Sequence, residues 1–504
     1  MWLAQAPDHT RHRSPPQLRL RFNLTLRTLN TGIPLTSDKS YIFDAIGVGL
    51  GPFNLSTAAL LEPVKKLTTR FFEREKEFQW HPGLLFPDAT IQVSFLKDLV
   101  TLADPQSRYS FLAFLFANRR LYRFINANFA RVSRVEFNQY FRWVANHLPN
   151  LEFGQEVHAI SVEGESFVVY TSSEEVRTRN IILGTGLQPI TPPCAADFIN
   201  AKSQKTLLHA FQYLRQEPRT NGMRVAVVGG GQTGAEIVQH LLATPDKTPR
   251  TLLWISKRSN FLPLDESPFT NELFTPNYSD YFYGLSAQDR ASIVAEQKFA
   301  SDGISNGLLE RIYQSLYQAE FLNGSGRCCS LYPRCELVGM APHIQAGWVL
   351  KLRDALNCTV TSVEADVVIL ATGSTYRPLP ALKPIMNRLA RGDEGFIVQD
   401  DYSIKWDGHP SLKIYIQNGA KHCRGVADPN LSLMAWRSAK IVNSLAAESI
   451  YDIAESNSVF DFARTADTQR SLDNDNEPDD YFSQTEFYAA GGLRRRHVGA
   501  RSPA

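Results

Sequence analysis

Apolar positions first become regular at Tyr41, where YIFDAIGVGLG reads as a buried strand running into a glycine turn. Residues 52–62 continue as a helix, and TTRFFE reads as the next strand, the opening of a βαβ unit with a parallel sheet. Aromatic and aliphatic residues over 109–148 recur at helical spacing, and residues 151–186 alternate like short strands that end in RNIILGTG. A second strand, glycine turn and helix open just after Met223 with RVAVVGGGQTGAEIVQHLL, followed by the strand TLLWISK. The pattern becomes irregular around 260–285, returns to strand at Ala365 (ADVVILATG) and near 414–418, and closes with a helix over 431–448. Two glycine turns about 180 residues apart organise the chain.

Each turn carries its own chemistry. In the first, Gly47, Gly49 and Gly51 let the backbone turn sharply beside a pyrophosphate, and Pro52 suits the first helical position. Glu73 ends the second strand 24 residues after Gly49, where an acid hydrogen-bonds a ribose hydroxyl. The second turn is a complete G-x-G-x-x-G with Gly229, Gly231, Gln232 and Gly234. Its following strand ends in Lys257-Arg258, cations that suit the 2′-phosphate of NADPH; as plain surface charges they would carry no such meaning. An acidic first unit and a basic second one imply FAD and NADPH. Leu183-Gly184-Thr185-Gly186 and Ala371-Thr372-Gly373 each end an apolar strand in small residues, which lets the chain pass close to a flavin or a neighbouring domain.

Bulk properties narrow the class without changing this picture. A chain of 504 residues should divide into two or three domains, and 43% apolar with 21% charged residues is an ordinary globular balance. A net charge of +2 provides no field to hold nucleic acid. The six cysteines lack CxxC pairs and Cys/His clusters, so no metal is expected and reduced cytosolic thiols are the plain reading. No apolar run reaches the roughly 20 residues of a membrane-spanning helix, and a cytoplasmic location is expected. The arginine-rich residues 1–40 resemble a transit peptide only in charge and are expected to be a disordered extension, as is the polar tail over 454–504.

Further segments stand out: Phe78-Gln79-Trp80-His81-Pro82-Gly83, Gln92 through Leu99, Asp265 through Phe269 with Asn271-Glu272, and Leu431 through Arg437. With the glycine turn closed by Pro52 they resemble the microbial N-hydroxylating flavin monooxygenases, the lysine N6- and ornithine N5-hydroxylases of hydroxamate siderophore biosynthesis. The resemblance spans residues 41–450. It implies an α/β fold with two Rossmann-like domains, for FAD and NADPH, and a smaller helical substrate region. The domains would be 41–215 (first part of the FAD domain), 216–360 (NADPH domain with the substrate insertion) and 361–453 (return to the FAD domain and last helix). NADPH would reduce FAD, O2 would give a C4a-hydroperoxyflavin, and a neutral terminal amine would attack it. No nucleophilic triad is needed and none is evident.

The resemblance also implies roles. Lys97 would contact the substrate's polar end and the nicotinamide, Gln92 would lie near the flavin, and Asn271 would touch the substrate. Trp80 and His81 would pack beside the isoalloxazine, and Thr372, Gly373 and Leu433 would join the cofactor site. The family is often tetrameric. Where ornithine enzymes carry Asn-Tyr-Ser this chain reads Ala300-Ser301-Asp302, similar to the lysine branch, while the segments after Asp98 and Asp428 look closer to hydroxylases of cadaverine or putrescine. Asp302 is the expected partner of a diamine's second ammonium. Arg424 stands where the family has the histidine of Thr-His-Gly, and its charge could repel a diamine or pair with a carboxylate, a pull toward lysine. Ketone or sulfide oxidation, an NADPH oxidase or reductase, and a non-catalytic flavin protein remain the alternatives; the missing dithiol counts against a disulfide reductase.

Overall fold

A computed structural model describes residues 41–199, 205–322, 329–453 and 458–462. The expected extension over 1–40 and most of the expected tail lie outside them. The first glycine turn belongs to a seven-stranded sheet built on β1 (Ile42–Val48), α1 (Pro52–Leu61), β2 (Thr69–Glu73), β3 (Leu151–Phe153), β4 (Val157–Glu163), β5 (Ser166–Thr171) and β6 (Glu175–Leu183). The order is β3-β2-β1-β6-β5-β4. The β1, β2, β3 and β6 pairings are parallel, and β4, β5 and β6 form an antiparallel meander. Beyond the stretch paired with β5, β6 also pairs in parallel with Lys413–Ile416, so a strand 230 residues downstream completes the sheet. Burial on both faces explains the near-continuous apolar runs of β1 and Lys413–Ile416.

The second turn sits in a five-stranded parallel sheet in the order Cys329–Tyr332, Thr251–Ile255, Arg224–Val228, Val367–Leu370, Leu207–His209. This corrects the expected domain limits. Val367–Leu370, expected in the first domain's return, pairs with Arg224–Val228 in the second sheet, as Val367 opposite Val225 and Val368 opposite Ala226. Leu207–His209 joins it from outside the expected 216–360. A fully buried VVIL run looks the same from either sheet, so its periodicity could not say which one it enters.

The chain crosses between the sheets through one narrow neck, where Gln188–Pro189 pairs antiparallel with Ser374–Thr375. His209 braces that neck: its Nε2 lies 3.2 Å from the Gly373 carbonyl and its Nδ1 accepts from the Phe211 N–H at 3.3 Å. Burial drives its pKa down to about 4, so the ring is a neutral Nε2–H donor.

The stretch expected to be irregular around 260–285 contains two helices, Pro268–Asn271 and Pro276–Gly284. Ser267 and Thr275 cap them through side-chain oxygens, each followed by proline at the first helical position. Helices Ala287–Glu296, Lys298–Asp302 and Asn306–Tyr317 complete the helical insertion, the last packing Leu308 and Ile312 against the helix of the second turn, Gln232–Ala243.

Candidate functional site

At the first turn Gly49 has φ +81°, and a Cβ there would lie 2.8 Å from the Gly184 carbonyl oxygen. Only glycine lets β1 pass that close to the end of β6. Gly51 and Pro52 open α1 with no side-chain cap, which leaves its first N–H groups free for an anion. The Leu50 N–H donates to Glu73 Oε2 at 2.7 Å, and Glu73 Oε1 accepts from Glu75 at 2.9 Å, so the acid is fixed at the mouth of the turn. Two residues that the sequence reading did not single out hold this cradle. Fully buried Asn54 donates to the Gly49 carbonyl at 2.7 Å and to that of Ile182 at 3.2 Å. Gln417, from the returning strand, donates to Asn54 Oδ1 at 2.9 Å. The lone amide side chain in the fully buried PFNLSTAALL helix was the available signal.

The loop after β2 carries the residues expected beside the flavin. Trp80 packs edge-on against Phe141 with centroids 5.2 Å apart, and His81, left-handed at φ 46°, lies between the Trp80 and Phe211 rings. Part of His81 faces open space, yet crowding by protein atoms and the nearby Arg134 guanidinium lower its pKa to about 4, so it is neutral at neutral pH. Gln92 Nε2 is buried without a hydrogen-bond partner. An orphaned donor on a cavity wall is what a bound cofactor's acceptor would satisfy. Burial lowers the pKa of Lys97, and Glu272, the neighbour of Asn271, lies near enough to oppose that shift. Lys97 thus lies within electrostatic range of the segment that carries Asn271.

The second turn is tighter. Gly229 has φ +145°, and a Cβ on it would collide with the Ala371 carbonyl. Gly231 precedes the helix Gln232–Ala243, again without a side-chain cap. Gln232 donates to Glu236 Oε1 at 2.8 Å and accepts from the Ser305 N–H at 2.9 Å. Arg258 donates to the carbonyls of Gly230 (3.3 Å) and Asp302 (2.6 Å), while Lys257 is exposed beside it. These groups line a cavity of about 1300 Å³ that also takes in Gln92, Thr372, Gly373, His422 and Asn430. Its walls do not include the first turn, Lys97 or Asn271. Thr372 Oγ1 donates to the Ile190 carbonyl at 2.5 Å in the neck, and Leu433 is buried just before the last helix, Met434–Ala446.

Asp302 lines the same cavity: its backbone carbonyl accepts from Arg258, and its carboxylate accepts from Ser301 Oγ at 2.9 Å. One expectation changes. Arg424 does not face the cavity. It is fully buried, donates to Asp280 at 2.7 Å and Asp400 at 3.0 Å, and stacks 4.0 Å from the Tyr283 centroid. Lys440 reaches the same two carboxylates at 3.0 Å. The charge of Arg424 is balanced within this cluster, so it gives no pull toward lysine. Among the described residues no group of three or more His, Cys, Asp or Glu could hold a metal ion, and no helix is long and apolar enough to cross a membrane.

Residues 41–377 match the family model for L-lysine 6-monooxygenase/L-ornithine 5-monooxygenase. The chain is 38% identical to the L-lysine N6-monooxygenase of Escherichia coli over 82% of its own length and 96% of that protein's. Among solved structures, the FAD-bound cadaverine monooxygenase of the desferrioxamine pathway from Erwinia amylovora superposes with a TM-score of 0.79 at 30% identity, covering 84% of this chain and 99% of that one. An ornithine N-hydroxylase from Kutzneria sp. 744, with reduced FAD, NADP+ and L-ornithine, gives 0.74 at 30% identity over 81% and 99%. With its two nucleotide cradles and the segment from Trp80 to Leu99 between them, the chain belongs to the L-lysine 6-monooxygenase/L-ornithine 5-monooxygenase family of flavin-dependent N-hydroxylating enzymes.

Proposed function

We propose that this protein N-hydroxylates the terminal primary amine of L-lysine or of a derived diamine, cadaverine or putrescine, with FAD, NADPH and O2, for hydroxamate siderophore biosynthesis. The observation that carries the reading is the pair of unlike cradles, Glu73 closing the first and Lys257-Arg258 the second. FAD, when bound, accepts hydride and activates oxygen.

The chain's own residues place and shield that chemistry. Gly49, Gly51 and the first turn of α1 receive the FAD pyrophosphate, and Glu73 the ribose. Gly229, Gly231 and the N-terminus of Gln232–Ala243 receive that of NADPH, with Lys257 and Arg258 beside its 2′-phosphate. Gln92 spends its orphaned Nε2–H on the flavin or nicotinamide. Neutral His81, with Trp80, gives the flavin an uncharged flank. The lowered pKa of Lys97 marks a partly desolvated site, where an amine substrate also sheds its proton more readily than in water.

The test is hydroxylamine formation with FAD and NADPH on lysine, ornithine, cadaverine and putrescine. Product from lysine or a diamine supports the reading. NADPH consumed to peroxide with no N-hydroxy product from any of the four overturns it.

A further inference from the structure

After the last helix the chain returns to the helical insertion. Ser458 Oγ donates to Glu272 Oε2 at 2.6 Å. Phe460 lies on Phe269 with ring centroids 5.8 Å apart. Phe462 meets Tyr278 edge-on at 5.1 Å and stacks on Tyr281 at 5.5 Å. Three of these five residues thus grip the two capped helices that follow Ser267, the segment that carries Asn271 and Glu272. From its other side that segment is tied down by Asp280 to Arg424 and Lys440. Glu272 is therefore held by a hydroxyl from outside the family-matched residues, and it acts in turn on Lys97.

We propose that residues 458–462 form a strap that fixes the segment carrying Asn271 and Glu272, with Ser458 as a positioning residue for the amine site. A hydrogen bond to a carboxylate as short as 2.6 Å is a strong one, and it removes the freedom of Glu272 to turn toward water. A fixed carboxylate on the segment that carries Asn271 offsets positive charge where a cationic substrate must enter, and a free one does so only part of the time. The paired rings supply the hold, because Ser458 alone could not order its own segment. This inference rests on the amine-hydroxylase reading for its kinetic consequence and not for its geometry.

Two measurements on the full chain and on a chain ending at Ile453 test it. The shortened chain and Ser458→Ala should raise KM for the amine about tenfold, with KM for NADPH unchanged and more peroxide formed per NADPH. Ser458→Thr, which keeps the hydroxyl, should restore the amine KM. Amide hydrogen exchange over 268–284 should speed up in the shortened chain. Unchanged exchange there overturns the strap whatever the substrate. Faster exchange with an unchanged amine KM overturns the positioning role of Ser458. If the full chain hydroxylates none of the amines, the function reading falls, and the exchange experiment still decides the strap.

Discussion

Arg424 and Lys257 carry charge under opposite conditions. Arg424 is fully enclosed by two carboxylates and two aromatic rings, Tyr283 at 4.0 Å and Tyr402 at 4.7 Å. Its removal leaves a void, and Asp280 keeps only the Lys440 contact. We expect Arg424→Ala to lower the unfolding free energy by about 2–3 kcal/mol, measured by urea denaturation, because breaking a buried pair from one side strands its partner. Lys257 is exposed at the rim of the second turn. Lys257→Ala should raise KM for NADPH by roughly tenfold or more and leave that for NADH nearly unchanged, because only the former carries a 2′-phosphate. Equal effects on the two would remove Lys257 from the nucleotide site.

The glycine turns make sharper predictions at the level of whole elements. Gly49→Ala puts a methyl against the Gly184 carbonyl at a backbone angle that side chains avoid, and should yield protein without bound flavin. Gly229→Ala meets the Ala371 carbonyl and should retain flavin while losing NADPH-driven reduction. Both turns were legible in the sequence because strand, turn and helix are local, and so were the cofactors, through Glu73 and Lys257-Arg258. The assignment of Val367–Leu370 to its sheet was not legible, since that depends on which of two distant strands it meets. Asn54 and Gln417 were hidden for the same reason, being joined across 363 residues. The helices after Ser267 and Thr275 were readable in principle from their cap-and-proline starts, but their short apolar periods concealed them. Arg424 could be recognised as a departure from the family pattern, whereas its partners Asp280 and Asp400 come from separate parts of the chain.

Across the whole molecule, two sheets communicate through the neck at Ile190 and Gly373, and His209 makes that neck sensitive to acid. Its ordinary pKa of 6.5 falls to about 4 on burial, so below pH 6.5 the unfolded chain takes up a proton that the folded one refuses. Stability should therefore decline as pH falls from about 6.5 toward about 4. His209→Gln should flatten this part of the stability profile followed by thermal unfolding. A second bridge, the buried ion pair of Arg134 with Glu236, runs from the helix Arg134–Ala145 to the helix of the second turn. Through Gln232 it reaches the nucleotide cradle, so the relative placement of the two cofactors is set by side chains as well as by the neck. In the proposed function this placement serves to deliver one oxygen atom of O2 to a terminal amine. Turnover of NADPH under ¹⁸O2 with lysine, cadaverine and putrescine, followed by mass spectrometry of the amine, tests it most directly. One labelled oxygen in an N-hydroxy product is expected for each coupled NADPH oxidised; unlabelled amines throughout, with one peroxide formed for every NADPH oxidised, would contradict this role.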